Sequence, residues 1–353
     1  METSSVFKNE KILSYEYLPD MLPHREGQIQ MLSMHLNKLA DGKRTQNVFI
    51  FGGPGIGKTA SIKFVFREFE NFSGIKTLYI NCWEYTTATS VLSKITQEIG
   101  YPVSRRGWPK DEIVEKLVET FNKVNKSMVI CLDEADQLIY KDSSVLYDLT
   151  RMGQQLKEPL MLIFISNDPH IFSDTEPRVK SSLNIDGIEF KQYTINEMKD
   201  IIKQRTKNAF FSVEAGVDLL IANTILNYGS DIRVGLDCLL KAGRMAEEEG
   251  SDILKTSHVK QSVINLKRVK QELLKEKITD NERTIMEILE IGKEYVSSEL
   301  YLEYSKRAKN AVTERMFTNY IDHLEQLKLV NAKRKEGVHG FTRIISKAVQ
   351  DLK

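Results

Sequence analysis

The chain of 353 residues is short of the features that mark several large protein classes. Its three cysteines, Cys82, Cys131 and Cys238, are odd in number and far apart. They cannot form a disulfide framework, their spacing suits no zinc site, and a reducing compartment is the default. No apolar run approaches the roughly 20 residues of a membrane-spanning helix. No membrane partner is therefore expected, and the expected location is cytoplasmic. The opening METSSVFKNEK carries no apolar core of a secretory signal. Excess charge of one sign is also missing: 50 Lys and Arg against 49 Asp and Glu give +1. That argues against a polybasic tail-type binder and an acidic chaperone, while local patches can still cancel in the sum.

Proline is scarce and unevenly placed. All eight prolines lie at or before Pro177. Proline breaks helix interiors, so the second half is free to be mostly helical. At about 150 residues per domain the length predicts two or three domains. In the first half, residues 47–51 (NVFIF), 77–81 (TLYIN), 128–132 (MVICL) and 160–165 (LMLIFI) read as strands. Several are apolar without alternation, as in a parallel sheet buried on both faces. Residues 61–69, 90–99, 110–122 and 144–156 read as the intervening helices. This alternation implies a doubly wound α/β domain. Beyond it, residues 196–206, 213–226, 233–248 and 257–273 are helical, with Gly229 and Gly250 at breaks. The expected division is an α/β domain over 1–192, a helical domain over 193–277 and a third domain over 278–353.

Between a strand and a helix, residues 52–59 read GGPGIGKT, followed by Ala60. This fits G-x-x-x-x-G-K-[ST]. The backbone of Gly52, Gly53, Pro54, Gly55, Ile56 and Gly57 would curl so that N–H groups converge on phosphate oxygens. The helix behind it points its positive dipole end at the same anion. Lys58 would reach the β- and γ-phosphates of ATP or ADP, and Thr59 would hold Mg²⁺. The strand at 128–132 ends in Asp133-Glu134-Ala135-Asp136. Asp133 would hold the metal through water, and Glu134 would polarise the attacking water. After the next strand, Asn167 could position that water; an Asn turn before Pro169 is the competing reading.

These elements, in this order and spacing, resemble the AAA+ ATPases. Leu22-Pro23-His24-Arg25-Glu26, the run PRVKSSL from Pro177, and Asp231-Ile232-Arg233 opening a helix narrow the match. Together they resemble the origin-recognition and cell-division-cycle initiators in their compact archaeal form, over nearly the whole chain. The resemblance implies an AAA+ P-loop core, a helical lid and a winged helix. It implies that His24 and Arg25 sit near the adenine, and that Asn167 senses the γ-phosphate. It further implies that Arg233 reaches the phosphates from the lid, and that Arg178 is the arginine finger. Its implied partners are double-stranded origin DNA, a replicative helicase and related initiator subunits. Residues 144–157 fall where the family carries an extra helical insert that touches DNA. Ser230 stands where the family usually has glycine.

At the C-terminus, residues 282–290, 296–307 and 313–328 read as three helices, followed by a hairpin of 329–334 and 341–346 turning at Glu336-Gly337. That is the order of a winged helix. Residues 328–347 hold six bases against one acid, a net +5. The expected DNA contacts are Arg315, Thr318 and Asn319 at base edges, and Lys333, Arg334, Lys335 and Arg343 on phosphates. A solvated charged turn is the competing reading of the hairpin. A slow, ATP-regulated replication initiator is the leading expectation. An oligomeric clamp-loader-like or transposition-type ATPase, and a nucleotide-bound transcription regulator, stand as alternatives.

Overall fold

The computed structural model describes residues 5–101, 108–173, 175–327, 329–337 and 340–348, without the side chains of 270–276, 334–337 and 340–342. The chain runs α1 (Glu26–Ala40), β1 (Asn47–Phe51), α2 (Lys58–Ser73), β2 (Lys76–Asn81), α3 (Ala88–Glu98), α4 (Lys110–Val124) and β3 (Met128–Asp133). It continues α5 (Asp136–Ile139), α6 (Ser144–Gln155), β4 (Leu160–Ser166), α7 (Pro177–Leu183) and β5 (Ile185–Glu189). The helices α8 (Ile195–Ala209), α9 (Val217–Asn227), α10 (Ile232–Glu248) and α11 (Thr256–Lys277) follow.

Among the described residues, β1 to β5 form one sheet in the order β2-β3-β4-β1-β5, with every neighbouring pair parallel. All six residues of β3 are buried, which explains its unbroken apolar run. The register pairs Phe51 with Ser166 and Asn81 with Asp133. The segments leaving β1, β2, β3 and β4 therefore emerge at one edge, where parallel sheets bind ligands. The four strands expected from sequence lie where the patterns put them, to within a residue or so. β5 and α1 were not foreseen. The helix expected from residue 61 starts at Lys58, because Gly57 in the left-handed region caps it, and Gly74 at φ 68° ends it. The helix expected from 213 starts at Val217 after Gly216 at φ 93°, while Val213 forms a bridge with Leu254.

Two compact units result, Met1–Val259 and Lys260–Lys353. The lid helices α8 to α10 thus stay with the α/β core. The N-terminal segment packs on them: the Phe7 ring stacks on Phe210 at 4.9 Å, and Ala209 O accepts from Lys8 N at 2.8 Å. Glycine at 243 permits this approach, since a Cβ there would lie 2.2 Å from Phe7 Cζ.

The second unit holds α12 (Asp280–Ile288), β6 (Glu294–Val296), α13 (Ser297–Arg307), α14 (Glu314–Gln326), β7 (Val330–Gly337) and β8 (Gly340–Lys347). Its antiparallel sheet has the order β6-β8-β7. Leu300, Tyr304, Phe317, Ile321, Leu324 and Ile345 close its core. The apolar residues of α14 recur every three or four positions and face that core. Three helices and a hairpin match the expectation, and β6 adds a third strand. The turn expected at Glu336-Gly337 does not fall on those residues, which pair with Phe341 and Gly340 in the ladder.

Candidate functional site: a nucleotide cleft and a basic hairpin

A cleft of about 790 Å³ opens at the carboxyl edge of the parallel sheet. The phosphate loop from Pro54 to Thr59, with Ala60, lines it together with Asp133, Glu134, Asn167 and Arg233. Gly52 and Gly53 join through their carbonyls, which accept from Lys58 Nζ at 2.8 and 2.7 Å. The same ammonium donates to Asn167 Oδ1 at 2.8 Å. Asn167 Nδ2 in turn donates to Glu134 Oε2 at 3.2 Å. Lys58, Asn167 and Glu134, 109 and 33 residues apart in the chain, thus form one hydrogen-bonded row. The turn here is made by the neighbours of Asn167 rather than by its side chain: Asp168 N donates to Ser166 Oγ, which itself donates to Asp136 Oδ1 at 2.7 Å. Asp136 anchors this turn.

Asp133 is 3% exposed. Burying a carboxylate costs several kcal/mol. Three donors offset that: Thr59 Oγ1 at 2.6 Å, Tyr79 OH at 2.7 Å and Glu134 N at 2.9 Å. Hydrogen bonds to charged groups contribute about 1.5–3 kcal/mol each. Glu134 adopts φ 53°, a left-handed conformation costing about 1–2 kcal/mol for a residue with a side chain. Such strain is often held at working sites. Burial raises the Glu134 pKa, with further push from Asp133 and Asp136. Burial lowers the Lys58 pKa against the pull of Glu134 and Asp133.

The lid reaches the loop at Gly55. Ile232 N donates to Gly55 O at 3.2 Å, and a Cβ on Gly55 would fall 1.8 Å from Asp231 Oδ1. Asp231 caps α10 by accepting from Arg233 N, and it also accepts from the Arg233 guanidinium at 2.7 Å. This pairing raises the Arg233 pKa, against burial, which lowers it. Ser230 before it has φ 64°, the conformation that explains why glycine suits this position.

Two placements differ from expectation. Leu22 and Pro23 line the cleft, whereas His24 and Arg25 are not among its lining residues. Arg25 is 4% exposed. Its guanidinium donates to Ile56 O at 2.9 Å and Lys191 O at 2.9 Å, and sits 3.8 Å from the Tyr193 ring centre. The loop carbonyl and the ring draw it inward, so it props the phosphate loop. His24 Nε2 lies 3.2 Å from Asp200 Oδ2. Arg178 is exposed on α7 and does not line the cleft. In the insert helix α6, Asp148 pairs with Lys110 at 2.9 Å. Tyr79, Tyr193 and Trp83 were missed by sequence reading; Tyr79 carried a local signal only as the residue two before Asn81 at a strand end.

In the second unit, Arg315, Thr318, Asn319 and Lys333 are exposed. Thr318 Oγ1 donates to Glu314 O within its own helix. Arg343 differs from expectation. It pairs with Asp322 at 2.5 Å and Glu325 at 2.8 Å on α14, because the hairpin lies over that helix face. Lys347 Nζ donates to Met286 O and Leu289 O at the end of α12. Two of the six bases counted in the hairpin thus serve the fold. The side chains of Arg334 and Lys335, and Lys328 altogether, lie outside the described residues.

The oxygen donors of Thr59 and Asp133 are of the kind Mg²⁺ takes, alongside phosphate and water. Among the described residues no group of three or more His, Cys, Asp or Glu could hold a metal alone. None of their helices is long and apolar enough to cross a membrane.

Comparison with known proteins places these features. Residues 41–168 match the AAA domain, and residues 199–263 match the Cdc6 AAA+ ATPase-type lid domain. The chain is 31% identical to an ORC1-type DNA replication protein of Pyrococcus abyssi, over 98% of this chain and 88% of that protein. It is 32% identical to ORC1-type DNA replication protein 1 of Methanosarcina acetivorans, over 99% and 89%. Among solved structures, the Aeropyrum pernix ORC1 protein in complex with DNA matches with TM-score 0.72 and 28% identity, covering 97% of this chain and 94% of that one. The Aeropyrum pernix ORC2 protein, in ADPNP-ADP complexes, shares the fold with TM-score 0.73 at 22% identity, over 98% and 95%.

Proposed function

Because the chain belongs to the family of ORC1-type DNA replication proteins, we propose that it is an ATP-regulated initiator of replication. It binds origin duplex DNA and helps recruit or load the replicative helicase. The family assignment sets aside the clamp-loader and transposition readings. The observation that carries the nucleotide part is the row from Lys58 through Asn167 to Glu134, beside the Thr59–Asp133 pair.

In this reading the loop N–H groups and the α2 N-terminus hold the phosphates. Lys58 offers its charge to the β- and γ-phosphates, and Glu134 takes the proton of the attacking water. Asn167 ties the two together, so that phosphate contact and base position are set jointly. Mg²⁺, held by Thr59 and Asp133, would neutralise phosphate charge when bound. Arg233 reports the phosphates to the lid through Asp231 and Gly55. Arg178, outside its own cleft, is the finger offered to a neighbouring subunit. With that arginine supplied from outside, hydrolysis within one chain is slow, and the protein is a switch.

The second unit reads as a winged helix. Arg315, Thr318 and Asn319 on α14 meet base edges, and Lys333, Arg334 and Lys335 of the hairpin meet phosphates. Arg343 holds the hairpin against α14. Footprinting on the host's own origin region, with ATP and with ADP, tests the whole. A discrete protected site that differs between the two nucleotides is expected. Uniform weak protection of any duplex would contradict it.

A further inference from the structure

Asp133 takes three hydrogen bonds, and two belong to the phosphate-site motifs: the Thr59 hydroxyl and the Glu134 backbone N–H. The third comes from outside them. Tyr79 stands on β2, whose register sets Tyr79 beside Cys131 and Asn81 beside Asp133. Its hydroxyl donates to Asp133 Oδ2 at 2.7 Å, the same oxygen that accepts from Thr59 at 2.6 Å. Burial and the neighbouring carboxylate push the phenol pKa far up, so the hydroxyl remains a donor. The Lys63 ammonium lies 4.7 Å from the ring centre and steadies its orientation.

A carboxylate offers about four lone-pair sites. Two donors fill those of Oδ2, and Glu134 N fills one on Oδ1. One acceptor site on Oδ1 is left. The Thr59 proton points at Asp133, which leaves the lone pairs of the Thr59 oxygen for a cation. We propose that Tyr79 is a positioning residue for the metal-binding pair, fixing the Asp133 carboxylate so that Thr59 and one Asp133 oxygen are presented together to Mg²⁺. This rests on the nucleotide–Mg²⁺ reading of the cleft. Removing such an outer partner typically weakens metal binding about 10–100-fold.

The test is calorimetric binding of a non-hydrolysable ATP analogue to the full chain over a range of Mg²⁺ concentrations and in EDTA. Tyr79→Phe keeps the ring and deletes only the donor. The Mg²⁺ needed for half-maximal enhancement of analogue binding should rise about tenfold. Affinity in EDTA should stay as in the wild type, while the melting temperature in EDTA falls by the loss of one hydrogen bond to a buried carboxylate. An unaltered Mg²⁺ requirement would overturn the proposal, as would an equal loss with and without Mg²⁺, the mark of a purely structural tyrosine. No analogue binding by the wild type would overturn the nucleotide reading, and this inference with it.

Discussion

The nucleotide cleft and the C-terminal unit use charge in opposite ways. In the cleft nearly every charged side chain is already engaged with another: Lys58 with Asn167, Asp133 with Thr59 and Tyr79, Arg233 with Asp231. In the C-terminal unit the expected contacts Arg315, Asn319 and Lys333 stand exposed, and Arg343 is tied by ion pairs to α14. The difference is one of dielectric and preorganisation. Buried, mutually bonded groups act as a unit, in a medium where each interaction is strong. Exposed cations act one by one, and salt screens them. Single changes in the cleft should therefore have large effects, and single changes in the hairpin small, additive, salt-dependent ones.

Glu134→Gln sharpens the cleft side most. Turnover measured by phosphate release should fall by about 10²–10⁴ while analogue binding persists. Undiminished turnover would remove Glu134 from the base role and revive the reading of a bound nucleotide without catalysis. The pH dependence follows from the raised pKa. The acid limb of turnover should lie above the ordinary glutamate range. The native form holds its proton to higher pH than the unfolded chain, so ionising Glu134 takes stability away as pH rises through the folded value. Glu134→Gln should accordingly melt higher than wild type at neutral pH, with the gain gone below the ordinary glutamate range.

On the other side, Lys333→Ala and Arg343→Ala should separate phosphate contact from hairpin placement. Lys333→Ala should weaken all duplexes alike and flatten the salt slope of binding by about 1. Arg343→Ala should weaken binding without changing that slope, because Asp322 and Glu325 already offset its charge. A slope change in Arg343→Ala as large as in Lys333→Ala would erase the distinction drawn between them.

What the sequence disclosed divides along the same line. The phosphate loop, Asp133, Glu134 and Asn167 are legible because their chemistry is written in short spacings at strand ends. β3 and β4 are legible because burial on both faces leaves an apolar run. β5 is not: IDGIE mixes Asp, Gly and Glu, and only Ile188 in it is buried. Arg25 was misplaced for the same reason that Tyr79 was missed. Their partners, Ile56 O and Lys191 O for one and Asp133 for the other, are 31, 166 and 54 residues away. Arg343 looked like a free base because Asp322 and Glu325 come beside it only when β8 folds over α14. Even Ser230, a departure from the family's glycine, becomes intelligible only with its φ of 64° on the page.

Lys58→Ala tests most directly whether the engaged cleft governs the exposed surface. The measurement is affinity for a duplex from the host's origin region with ATP and with ADP, in wild type and variant, after calorimetry has checked ATP binding to each. The wild type should bind with two different affinities for the two nucleotides. The variant should lose ATP binding and show one affinity that ignores nucleotide. A wild-type affinity indifferent to nucleotide, or a variant that keeps ATP binding and the difference, would contradict the account.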